Sequence, residues 1–430
     1  MDDGSDCAAR HLGGFGVPVL NSPCTTSGGS VESIGNTDRG GVAVSVRLLV
    51  NVPVWGERYV DRWLRWSLSS LMAEGNLPTV ARRVEVVVQV VTSPVDAARL
   101  GSDDLVDELR RLVRTEIVEV DGLQGGYMGM SRGNLVSLRA AATERAGFCF
   151  GWADVIWPDG AFGVVADRTL SHRAVLGWGC VLAEAGVAHE LDAARRGSRL
   201  VVSGREMARL VLDHPHATLR GSQVGDSFVP SGPTNAVWVA PDRKSALVRA
   251  HTWQMLGINF SKVPSDDTAR YLRLLRAGRA NDSVDAYSPI VADLSEVAFI
   301  DNSDAALPAS IDDDSRPVTS HSIPCDPQQQ PAMLRHTINR HQSKEWIVPL
   351  SRYLFTRTYR IHTDDDTEWI NNTAQHTQHL ATITAILDHQ SRWTVTLWQS
   401  LPFRIRNLVR DAVLSVSHYF MAKRKVTINN

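Results

Sequence analysis

Residues 44–54 read VSVRLLVNVPV, a near-continuous apolar run of the kind that fills a strand covered on both faces of a sheet. The run breaks at Pro53 and Gly56. Beyond it Val60, Trp63, Leu64, Leu68 and Leu71 recur at helical spacing, with Glu57, Arg58, Asp61, Arg62 and Arg65 mostly between them. The pattern then repeats. "EGNLP" (74–78) stops the helix, Val84 to Val91 predicts a second strand, and "TSP" (92–94) ends it. Asp103 to Val113 predicts a helix and Glu116 to Val120 a third strand. The Gly-rich stretch DGLQGGYMGMSRGN (121–134) precedes a helix from Leu135 to Arg145 and a fourth strand from Gly147 to Phe150. Strands alternating with helices at this spacing predict right-handed βαβ units and a mainly parallel, doubly wound α/β sheet.

The flanks differ in composition. Residues 1–42 are rich in Gly, Ser, Thr and Asp and predict a disordered leader, and residues 43–304 form the α/β domain. Residues 305–345 predict a linker, and 346–430 a mostly helical C-terminal region with a basic end. The first residues carry Asp2, Asp3 and Asp6 without an apolar core, so no secretory signal is expected. No window reaches the roughly 18 apolar residues of a spanning helix. Five scattered cysteines without a CxxC pair argue against a disulfide framework and a thiolate zinc site. A formal net charge of -2 lacks the electrostatic footprint of a nucleic-acid partner. The expected location is the cytoplasm. Leu401 to Val416, interleaved with Arg404, Arg406 and Arg410, suits peripheral contact of 398–425 with the inner membrane face, or packing on the domain.

In an open parallel sheet, ligands sit at the carboxyl ends of the strands. The loops there would gather Glu57, Asp121, Asp154 and Asp159 beside glycine-rich backbone. That setting suits a diphosphate and a divalent cation, which takes carboxylate and phosphate oxygens. Asp159-Gly160 also fits a plain Pro-Asp-Gly turn, and Asp154 also fits a helix cap.

This order of features resembles the GT-A glycosyltransferases, particularly the inverting, family-two-like group that uses nucleotide-diphosphate sugars. The matching stretches are VNVPVWGE (50–57), GMSRGN (129–134) and FCFGWADVIWPD (148–159). The resemblance implies a GT-A-like fold and donor contacts from Pro53, Glu57, Asp121, Arg132, Asn134, Asp154 and Asp159. It also implies a divalent cation, Mn or Mg. The family's two metal-binding aspartates, however, fall on Gly151 and Ala153 here. Asp154 and His251 are then the candidate metal ligands, with Arg132, or Lys262 or Arg205, as cationic substitutes at the phosphates. The chain is also similar to a bacterial group with the same altered motif, through "AEGNLP" (73–78), "RAHTWQM" (249–255) and "SDDTARYL" (265–272).

Inverting transfer needs a base at the acceptor hydroxyl, normally Asp or Glu. Asp266 and Asp267 are the candidates, with a helix cap as the alternative. His251 and "DHPH" (213–216) also read as structural histidines and a turn. No GxSxG elbow, HExxH or P-loop is present. The expectation is transfer of a sugar from a nucleotide diphosphate to a glycan or lipid-linked acceptor, in bacterial surface polysaccharide or glycolipid assembly. The alternative is an inactive nucleotide-sugar or glycan-binding scaffold.

Overall fold

The computed structural model describes residues 47–123, 127–225, 228–230, 235–240, 242–277, 284–313, 322–326, 328, 332–333 and 349–364. The predicted leader and the basic segment 398–425 lie outside the described residues. The chain divides into Met1–Val44 and Ser45–Asn430, and the elements below belong to the second unit.

Its main sheet holds β1 (Arg47–Pro53), β2 (Glu85–Thr92), β3 (Arg114–Glu119), β4 (Gly147–Phe150), β6 (Ala174–Gly177), β13 (Gln254–Asn259) and β14 (Val297–Phe299). The order is β14-β6-β13-β4-β1-β2-β3. β1 is parallel to β2 and β4, β2 to β3, and β14 to β6. β13 alone is reversed, antiparallel to both β4 and β6. The α/β, mainly parallel, doubly wound class read from the apolar runs is therefore the observed one, and the four predicted strands share one sheet.

Both faces are covered. Asn51 bonds the helix Tyr127–Glu144. Cys149 lies opposite Val50, hence on the other face, where its Sγ meets Thr169 of the helix Ala161–Ser171 at 3.6 Å. That helix comes so near β13 that a Cβ on Gly257 would lie 2.0 Å from Thr169 Oγ1, a contact only glycine permits. Burial on two sides explains why β1 is apolar nearly throughout.

Smaller sheets complete the unit. β5 (Val155–Ile156) and β7 (Cys180–Ala183) flank β15 (Ala309–Asp312); β8 (Arg195–Arg196) pairs with β9 (Arg199–Leu200). β10 (Phe228–Pro230) pairs with β16 (Ser322–Pro324), and β12 (Ser245–Ala250) lies between β11 (Asn235–Val239) and β17 (Tyr359–His362). Three of these strands, β15, β16 and β17, occupy stretches that composition assigned elsewhere. β15 lies within the predicted linker, where Ala309 and Ile311 are buried although their neighbourhood is polar. β17 lies within the predicted helical region and buries Tyr359 and Ile361 in the main core, with Leu354 of the helix Pro349–Thr356. Among the described residues no helix is long and apolar enough to cross a membrane. Cys149 and Cys180 are free and buried, and Cys325 is free.

Candidate functional site

The strand order reverses between β1 and β4: successive strands run outward from β1 through β2 to β3, then return to β4 on its other side. In an open sheet of this order a ligand crevice is expected between the carboxyl ends of β1 and β4. Pro53 is buried at the end of β1, while Gly56, Glu57 and Arg58 are exposed. Gly56 has φ +79° and donates its N–H to Asp96 Oδ2 at 2.8 Å, turning the chain into the helix Glu57–Arg62. On the other bank Gly151 extends the ladder, its N–H to Asn51 O at 2.7 Å, and Trp152 stacks on Phe150. Asp154 follows, half-buried, its carbonyl accepting the Ile311 N–H at 2.8 Å.

The helix Tyr127–Glu144 supplies a third side. Gly133 lies against Pro53, close enough that its Cβ would meet Pro53 Cβ at 3.0 Å. Beneath, Asn51 Nδ2 donates to Asn134 Oδ1 at 2.6 Å and Ser137 Oγ donates to Asn51 Oδ1 at 2.8 Å, all three residues buried. Arg132, two residues before Asn134, is exposed, with Nη1 3.6 Å from where a Cβ on Gly122 would stand. Gly122 has φ +65° and follows exposed Asp121 beyond β3. Pro53, Glu57, Asp121, Arg132 and Asp154 thus share the carboxyl edge. Asn134 is held below it, engaged with Asn51.

Most of the other predicted residues fall elsewhere. Because β13 is reversed, its final residue Asn259 pairs with Gly147, the first residue of β4. The helix Ser265–Arg276 therefore leaves from the amino edge, and Asp266 and Asp267 stand across the sheet from the crevice. Asp267 takes Arg173 Nη2 at 2.6 Å, and that arginine's side chain is only 6% exposed. Asp266 is exposed in the first helical turn, where the dipole favours an acid. Lys262, at the same edge, donates to Ser171 O at 2.9 Å. Asp159 is exposed and accepts the Gly75 N–H at 2.7 Å, tying the 74–78 loop to a turn. Arg205 lies 3.7 Å from Asp304. His251 is buried just before β13, on the carboxyl edge. His214 bonds Glu190 at 2.7 Å, and His216 accepts from Thr218 N and bonds Asp313 O, so "DHPH" forms a turn and a cap.

One cluster beside Asp154 escaped the sequence reading. Asp312, 2% exposed, takes Arg62 Nη1 at 3.0 Å and Arg58 Nη2 at 2.8 Å; Arg58 also pairs with Asp313, and Arg62 with Glu184. Burial lowers the Arg62 pKa, but its bonds to Glu184 and Asp312 outweigh that and hold it above its ordinary value. The local signal was the alternation of Ala309, Ile311 and the acids, obscured by polar neighbours. Among the described residues no group of three or more His, Cys, Asp or Glu is placed to hold a metal. At Gly151 a Cβ would already stand 3.0 Å from Val52 Cγ2 and 3.2 Å from Asn51 O, and Ala153 is buried. Burial pushes the Cys149 thiol up to about 12 and raises that of Cys180 further, which leaves neither a ready nucleophile.

No protein-family model matches the sequence, and no curated protein sequence does. The chain has partial likeness to solved structures that include S. aureus TarS, at 15% identity and TM-score 0.21 over 32% of this chain and 22% of that one. A second is S. aureus TarS 1–349 in complex with UDP, at 12% identity and TM-score 0.33 over 69% of this chain and 72% of that one. A third is GalNAc-T7 with UDP, GalNAc and Mn2+, at 8% identity and TM-score 0.32 over 63% and 45%. The match to the first TarS structure spans about a fifth of that chain's length.

Proposed function

We propose that the chain binds a nucleotide-diphosphate sugar in the crevice between the carboxyl ends of β1 and β4. It transfers the sugar to a hydroxyl of a glycan or lipid-linked acceptor, in the cytoplasm or at the inner membrane face, in bacterial surface polysaccharide or glycolipid assembly. The observation that supports this is the reversal of strand order beside Pro53, Glu57, Asp121, Arg132 and Asp154. In this reading the exposed Arg132 guanidinium pairs with the diphosphate through a planar fork. Asp154 accepts hydrogen bonds from the donor's hydroxyls, and the Asn51–Asn134 bond holds Arg132's helix in register with β1. No step is assigned to a metal.

A second reading, a binding scaffold without turnover, has its own support. Gly151 and Ala153 replace the family's acid pair, and Asp266 and Asp267 stand on the far edge from the crevice. One experiment separates the two. UDP is titrated with and without Mn2+ while the melting temperature is followed, and release of UDP from UDP-sugars is then assayed. Metal-independent stabilisation with turnover supports transfer. Stabilisation without turnover supports the scaffold, and no response to UDP rejects both.

A further inference from the structure

The charged cluster beside Asp154 contains one guanidinium that is only partly engaged. Arg62 and Asp312 are enclosed, each side chain at most 3% exposed, and Arg62 also pairs with Glu184. Asp312 therefore keeps a buried cation even without Arg58. Arg58 differs. Its side chain is 49% exposed, and only Nη2 is engaged, with Asp312 Oδ1 at 2.8 Å and with Asp313. Its Nε and Nη1 make no hydrogen bond among the described residues, which leaves the other donors of the fork open.

Both banks of the expected crevice set the place of this group. The chain leaves β1 at Pro53, turns at Gly56 and carries Arg58 in the first turn of the helix Glu57–Arg62. Asp312 ends β15, whose antiparallel register puts Ala309 opposite Ile156 and Ser310 opposite Val155 of β5. The Ile311 N–H then reaches Asp154 O at 2.8 Å. Extended by one residue, that register brings Asp312 beside Ala153. Arg58 thus reaches from the end of β1 to the residues that follow β4. A positive charge stands next to Ala153, one of the two positions where the family resembled carries a metal-binding aspartate.

We propose that Arg58 contacts the diphosphate of the donor, and that Asp313 holds this guanidinium in the free chain and yields it to a phosphate oxygen on binding. The proposal rests on the crevice reading above. Of the two carboxylates on Arg58, Asp312 is buried and shared with Arg62, whereas Asp313 is 40% exposed and is hydrated readily once displaced. A phosphate matches the guanidinium fork as a carboxylate does, with a charge-assisted bond in either case. Asp313 is then a competitor built into the chain, and the ligand's apparent affinity is lowered by the fraction of chains in which it occupies Arg58.

Isothermal titration calorimetry of the full chain with UDP tests the assignment. Arg58→Gln is expected to weaken UDP about tenfold through loss of a charge-assisted contact, and Arg58→Lys to recover part of that loss. Asp313→Asn removes the competing charge and is expected to tighten UDP by about threefold. Arg83→Gln removes a positive charge just before β2, at the amino edge, and is expected to leave UDP affinity unchanged. If Arg58→Gln fails to fold, Asp313→Asn decides. A wild type that binds UDP, with unaltered affinity in Arg58→Gln or no tightening in Asp313→Asn, would overturn the assignment and leave the crevice reading standing. A wild type that does not bind UDP removes the crevice reading and this assignment together.

Discussion

Asn51 of β1 and Asn134 of the helix Tyr127–Glu144 share a buried hydrogen bond of 2.6 Å across 83 residues of sequence. It fixes that helix to the strand that forms one bank of the crevice. Removing either partner leaves a polar group buried without its mate, at a cost of about 1–3 kcal/mol. Asn51→Ala and Asn134→Ala should each lower the urea midpoint accordingly. The double variant should cost less than the two singles together, because neither orphan then remains. Strict additivity would show that the two side chains do not act as a pair.

The Arg62–Asp312 pair has both side chains almost fully enclosed, at 3% and 2% exposure. Deleting one charge from such a pair typically costs about 3–5 kcal/mol. Asp312→Ala should fall in that range. Asp313→Ala, at an acid 40% exposed, should cost at most about 1 kcal/mol. Equal, small losses in both variants would mean that β15 is not part of the cooperative unit.

The same reasoning bears on chain ends. β17 pairs His362, Ile361, Arg360 and Tyr359 with Ser245 to Val248 of β12, and Tyr359 OH donates to Ala306 O. A chain ending at residue 345 should therefore lose its cooperative melt, whereas one ending at 364 keeps β17 and should melt as a unit. Cooperative melting of the shorter chain would restore an independently folding domain that ends before the C-terminal region.

How much of this could be read from sequence follows from the range of the forces involved. The strands β1, β2 and β4 announce themselves because burial on both faces demands unbroken apolar runs. Strand direction leaves no such mark. The reversal of β13 places Asp266 and Asp267 on the far edge, and nothing in residues 254–267 encodes it. Long-range ion pairing is equally silent. Asp312 is buried because Arg58 and Arg62 meet it across 254 and 250 residues, and locally it looks like one acid among several in a linker. The turn at Asp159 was readable, since Pro-Asp-Gly is turn chemistry, and it serves as a tie to Gly75.

The helix Gly204–Asp213 opens with a capping box in which Ser203 Oγ accepts the Glu206 N–H and Glu206 accepts the Ser203 N–H at 2.8 Å. Ser203→Ala should cost about 1 kcal/mol at neutral pH. The Ser203 backbone N–H, then its side chain, hold the Glu206 pKa below its ordinary value. The folded form therefore binds this proton less tightly than the unfolded one. The contribution is complete above the ordinary carboxylate range and is lost as pH falls through the lower folded value. Melting temperatures of wild type and Glu206→Gln should converge as the solution is acidified below pH 5, roughly where unperturbed glutamates begin to protonate. A gap that stays constant over the whole acid range would contradict the assignment.

The sharpest test of the crevice concerns Asp154. Its backbone is spoken for, since the carbonyl accepts the Ile311 N–H and fixes β15 against β5. Its side chain is half-buried at the carboxyl end of β4, where a ligand is expected. Asp154→Asn keeps the size and the backbone bond while removing the charge. If the carboxylate receives donor hydroxyls, UDP affinity should fall about tenfold, the loss of a charge-assisted hydrogen bond of about 1.4 kcal/mol. Asp159→Asn is the matched control, because an amide oxygen still accepts the Gly75 N–H and neither stability nor binding should move. Asp159→Ala breaks that tie and should cost about 1 kcal/mol of stability while UDP affinity stays level. An Asp154→Asn chain that binds UDP as wild type does would remove Asp154 from the site.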